Sequence, residues 1–152
     1  MAKAPRYEGM TAATTVGRAA RTVLGALLEA VLADAPAVLN GEDVRATHDM
    51  RVAIRRLRSA LATFRRCAPR KRYAELAAET KRVGRKLGEV RDADVHLAVL
   101  RAALAGAAAG EAPGIAYAID ALTARRRRAL ADFAIELSQF DRRGFARLID
   151  AL

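Results

Sequence analysis

The chain has no tryptophan, and aromatic residues make up only 5% of it. Strands draw on aromatic and β-branched side chains, so a sheet-rich fold finds little material here. One cysteine, Cys67, excludes an internal disulfide framework. Two isolated histidines and that cysteine assemble no catalytic triad. No pair of carboxylates stands out for acid–base work, so no enzyme is expected. No apolar run is read as reaching membrane-spanning length. Arg18 and Arg21 interrupt the one stretch resembling a signal core, and a cytoplasmic protein is the expectation. Acids are also short: 17 Asp and Glu stand against 27 Lys and Arg, a net charge of +10. Such an excess points to a polyanionic partner.

What the chain has in quantity is alanine, leucine and arginine, all good helix formers. Its 152 residues suffice for one domain with a core. The expectation is an all-α fold, a four-helix antiparallel bundle over residues 11–152 behind a flexible tail at 1–10. The first helix is predicted from Thr11 to Ala35, with Val16, Val23, Leu24, Leu27, Leu28, Val31 and Leu32 at threes and fours. Pro36 and then Asn40-Gly41 end it. Asp43 is placed as the N-cap of a second helix running to Arg66 and stopped by Pro69. A third helix is predicted from about Arg72 to Ala105. The loop Gly106–Gly114 leads to a fourth, from Ile115 toward Leu137, with a final turn at the C-terminus.

The stretch "HDMRVAIRRLRSALATFRR", residues 48–66, carries six arginines and one acid, Asp49. Met50, Ile54, Leu57, Leu61 and Phe64 are spaced 4-3-4-3, a core seam. His48, Arg51, Arg55 and Arg58 are spaced 3-4-3 and form a second stripe beside it. Successive groups on that stripe rise about 4.5–6 Å, so a phosphate chain laid along it meets one arginine after another. Arginine forks hydrogen bonds onto phosphate oxygens, where lysine offers a point charge. The plain alternative is a set of solvated arginines paired with acids on other helices, each pair worth little. Local acids do not supply it, since Asp49 is the only one between His48 and Arg70.

On the third helix, Leu76, Val83, Leu87, Val90 and Leu97 form the seam. Lys81, Arg85, Asp92 and His96 share another stripe, and Arg91 flanks the seam. Gly88 costs a helix about 1 kcal/mol relative to alanine, which implies close approach of a helix or ligand. Asp92 and His96 could chelate a metal at i, i+4, but Asp94 faces elsewhere and no third ligand completes the set. Asp92 is instead expected to orient a neighbouring arginine. Of Arg125–Arg128, one or two can join an anion-binding surface, with the others solvated.

These residues resemble the CHAD domain, the conserved histidine α-helical domain. His48, Arg51, Val52, Arg55, Arg56, Arg58, Leu61, Phe64 and Arg65 match the first part of the family pattern. Lys81, Leu87, Gly88, Arg91 and Asp92 match the second. The resemblance implies a helical domain that binds inorganic polyphosphate without catalysis and without a cofactor. Such domains are associated with polyphosphate granules. Carried onto this sequence, the binding residues are His48, Arg51, Arg55, Arg56, Arg58, Lys81, Arg85 and Arg91. The family usually has two four-helix halves, and this chain matches the first. A homodimer is therefore expected to restore the second basic helix. The alternatives are a nucleic-acid partner, bound without sequence preference, or a granule-associated scaffold. No reading module is evident, and Tyr7, Tyr73 and Tyr117 do not cluster for base stacking.

Overall fold

The computed structural model describes residue 7 and residues 9–41 and 43–152. The tail expected at 1–10 therefore lies largely outside the described residues. Five helices follow in order: α1 Val16–Asn40, α2 Val44–Thr63, α3 Arg70–Ala105, α4 Ala112–Ser138 and α5 Arg142–Asp150. The fold is an all-helical bundle, with no strand among the described residues. Helix α1 packs on α2, α2 on α3 and α3 on α4, and α5 closes one end against α1 and α3.

Helix α1 begins later than its pattern suggests, because Thr15 is the N-cap and accepts from the Arg18 amide. It also runs past Pro36. A proline inside a helix forfeits one backbone bond, but Ala35 and Val38 on either side are buried and hold the last turn to the core. Gly41 then stops the helix at φ 75°, its amide donating to the Val38 carbonyl.

The expectation that no apolar run reaches membrane length is corrected by this helix. Its 25 residues are long and apolar enough to cross a membrane by length and composition. In the fold, Leu24, Leu27, Leu28, Val31 and Val38 of α1 are core residues. Arg21, read in the sequence as an interruption, has a structural task. Its guanidinium donates to the Ile149 and Asp150 carbonyls at the end of α5.

Asp43 caps α2 as expected, accepting from the Arg45 and Ala46 amides. The helix ends at Thr63 rather than Arg66. A turn through Cys67 follows, with the Cys67 amide donating to the Phe64 carbonyl. Cys67 is half-buried. Met50, Ile54, Leu57 and Leu61 are buried, and Phe64 packs half-buried against them. On α3, Leu76, Val83, Leu87, Val90 and Leu97 are all buried. The final turn is long enough to be a helix, capped by Asp141. Phe145 of α5 is fully buried and stacks on Phe140 at 5.0 Å.

A cationic cleft between the second and third helices

Helices α2 and α3 approach closely at two glycines one turn apart. A Cβ on Gly84 would lie 2.9 Å from Ile54 Cγ2, and one on Gly88 would lie 3.3 Å from Arg51 Nη1. The close approach expected at Gly88 is therefore real, and it is made by α2 itself. Beside it runs a cleft of ≈ 360 Å³ walled by Arg51, Arg55 and Arg58 of α2 and by Arg85, Glu89 and Asp92 of α3, so four arginines share it with two acids.

Four of the eight candidate residues thus meet at the cleft. His48 is exposed one turn before Arg51, and Lys81 is exposed one turn before Arg85. Arg91 and Arg56 are half-buried, and neither lines the cleft. Asp92 stands 3.9 Å from Arg51, with both side chains well exposed, so the pair orients Arg51 loosely and stabilises little. His96 does not share this face. It lies in an apolar cavity with Val99, Tyr117 and Leu122, between α3 and α4. Asp94 is buried against Arg126. The three residues considered as metal ligands therefore point three ways, and no group of three His, Cys, Asp or Glu gathers among the described residues.

The charges divide by face. On the side of α3 toward α4, Arg82 donates to Glu136 at 2.9 Å. Lys86 donates to Asp132 at 2.8 Å and to Glu89 at 3.3 Å. These two acids hold the Lys86 ammonium above its ordinary pKa. Arg72 is held likewise by Asp141 and Glu75. Along the cleft the pattern reverses. Among the described residues, His48, Arg55, Arg58, Lys81, Arg85 and Arg91 have no ion pair and no side-chain hydrogen bond.

Acids gather where the start of α2 meets α1. Asp34 of α1 has its pKa raised by partial burial and by Asp49 and Asp43 of the α2 start.

Two features escaped the sequence reading. Arg126 belongs to neither the solvated set nor an anion surface, because it turns inward to Asp94. Arg65, Arg66 and Arg70 gather around a second cavity at the α2–α3 turn. The acid-free run from Met50 to Arg70 was the available signal for the latter.

An all-helical domain with this cleft is the class the geometry defines. The family model of the CHAD domain matches residues 22–152, and the chain belongs to the CHAD family. CHAD domains in general bind polyphosphate, and they are binding rather than catalytic domains. No curated protein and no solved structure matches the chain.

Proposed function

We propose that this chain binds inorganic polyphosphate, without cleaving it, along the α2–α3 cleft. The observation that carries the reading is the division of charge. Cations facing α4 are neutralised by acids, whereas Arg55, Arg58 and Arg85 at the cleft are not. Like charges held this close repel, and a polyanion relieves that repulsion. The arginine stripe offers forked donors at the rise of a helical turn, and a phosphate chain presents acceptors at every residue. His48 and Arg56 extend the cationic face of α2, and Lys81 and Arg91 extend that of α3. Two copies related by a two-fold axis would set two such clefts face to face. In the cell, such a protein would gather at polyphosphate granules in the cytoplasm.

The test is a competition at physiological salt. Labelled long-chain polyphosphate is bound first and then challenged with duplex DNA, RNA, ATP and pyrophosphate. Displacement only by unlabelled polyphosphate supports the reading. Equal displacement by any duplex at matched charge replaces it with general polyanion binding, which includes nucleic acid. Loss of affinity in an Arg55→Ala, Arg58→Ala variant locates binding at the cleft. Release of phosphate from the bound chain would contradict the non-catalytic part. Light scattering reads the dimer, and a monomer that holds long chains as tightly removes it.

A further inference from the structure

The turn between α2 and α3 encloses a cavity of ≈ 720 Å³ walled by Arg65, Arg66, Ala68, Pro69, Arg70 and Tyr73. It has three arginines and no acid. Among the described residues, none of the three arginines has an ion pair or a side-chain hydrogen bond. Tyr73 forms the firm wall, half-buried and packed on the core. Burial pushes its hydroxyl pKa up, with the Arg65 charge opposing, so the hydroxyl keeps its proton as a donor.

The position of this cavity follows from helical spacing. On α3, Arg70, Tyr73, Ala77, Lys81, Gly84 and Gly88 recur at threes and fours, which puts the cavity and the cleft on one face. On the α2 side, Arg51, Arg55, Arg58 and Ala62 do the same, and Arg65 follows in the turn just beyond the helix end at Thr63. The cleft and the cavity therefore form one track, closed at the turn by the chain itself.

A closed end matters to a linear phosphate chain. Each internal residue shares two of its oxygens with neighbours and carries one charge. A terminal residue keeps three unshared oxygens and gains a second charge as its last proton leaves, near pH 6 for a phosphate monoester. Three guanidinium forks suit that group better than they suit an internal residue. We propose that the Arg65–Arg66–Arg70 cavity holds the terminal phosphoryl group of a polyphosphate chain whose body lies in the cleft. This rests on the polyphosphate reading above and adds a direction to it: chains dock by an end.

The test uses a reporter that the composition provides. The chain has three tyrosines and no tryptophan, so Tyr7→Phe with Tyr117→Phe leaves Tyr73 as the only tyrosine. Its emission is followed while linear tripolyphosphate is added, and then cyclic hexametaphosphate, which carries more charge but has no ends. The expected result is a change in Tyr73 emission with the linear ligand and binding about tenfold tighter than the ring. Arg66→Ala with Arg70→Ala, both exposed side chains, should abolish that preference while long chains still bind. Arg55→Ala with Arg58→Ala should weaken long-chain binding while the tripolyphosphate response of Tyr73 persists. Equal binding of line and ring, with long chains still held by the cleft, overturns end docking and leaves the cleft reading standing. Absence of binding by any phosphate overturns both.

Discussion

Asp94 of α3 accepts a hydrogen bond from Arg126 Nε of α4, with the Asp94 side chain 1% exposed and that of Arg126 15% exposed. Arg126 also reaches toward the end of α1, since a Cβ on Gly41 would lie 3.7 Å from its Nη1. The pair therefore stands where α3, α4 and the α1 terminus converge. Asp94 Oδ2 has no hydrogen-bond partner among the described residues, so the guanidinium is the principal compensation for burying this carboxylate. Removing one member of such a pair strands the other charge, at a cost of about 3–5 kcal/mol. Arg126→Met should lower the unfolding free energy measured by urea titration by an amount in that range. The double variant Asp94→Leu, Arg126→Met should recover most of the loss, because an apolar pair needs no compensation. Equal loss in both variants would show that packing, and not charge, is what the pair supplies.

Gly84 and Gly88 make opposite predictions although both are helical glycines at one interface. Alanine gains about 1 kcal/mol of helix propensity at either position. At Gly84 the new methyl meets Ile54 Cγ2 at 2.9 Å, a buried side chain in a packed seam. Forcing that contact costs about 1–3 kcal/mol, so Gly84→Ala should be destabilising overall. At Gly88 the methyl meets the far end of Arg51 at 3.3 Å, and a guanidinium can swing away. Gly88→Ala should keep or raise the melting temperature while weakening polyphosphate binding through a displaced Arg51. Calorimetry and a binding titration on both variants check the pair. Normal binding by Gly88→Ala would remove Arg51 from the site.

Two carboxylates titrate in opposing senses. Asp141 has its pKa lowered by its hydrogen bond from Arg72 and by the Gly144 amide. Its stabilising contribution is full above the ordinary carboxylate value of 3.8 and is lost as pH falls through the lower folded value. Asp34 has its pKa raised by burial and by Asp49 and Asp43. Ionised, it opposes folding, and protonation in acid relieves that. Asp141→Asn should therefore lower the melting temperature at neutral pH, and Asp34→Asn should raise it. The Asp34 difference should shrink as pH falls through its raised folded value toward 3.8, and the Asp141 difference should shrink only below 3.8. Melting curves across that range read both at once. A gain in Asp34→Asn that persists in acid would assign it to something other than charge.

Features set by nearby residues were legible from the sequence, and those set across the fold were not. The α2 seam and the Asp43 cap depend on neighbours within one or two turns, and both are found where the spacing puts them. The end of α1 was misplaced at Pro36, because a single-residue rule was outweighed by burial of Ala35 and Val38. Helix α5 was read as a turn. Its nine residues owe their hold to Phe145 in the core and to Arg21, which reaches them from 128 positions away. The arginine stripe was visible as a period, as was the lack of nearby acids. The partners of Arg126 and Arg82 were not, since no period links α3 to α4. The corner arginines were overlooked because they straddle a turn, where helical arithmetic stops.

His48 provides the sharpest test of the α2 stripe. It is exposed one turn before Arg51, and no described acid pairs with it. The acids nearest in sequence, Asp43 and Asp49, are coupled to Asp34 toward α1. A fixed charge at this position tests whether the ligand passes it. His48→Lys puts a permanent cation at the open end of the cleft and should tighten long-chain binding by a factor on the order of three to ten, the worth of one charge contact near water. His48→Glu should weaken binding by a similar factor. Unchanged affinity in both variants would take position 48 out of the stripe and leave the arginines to act alone.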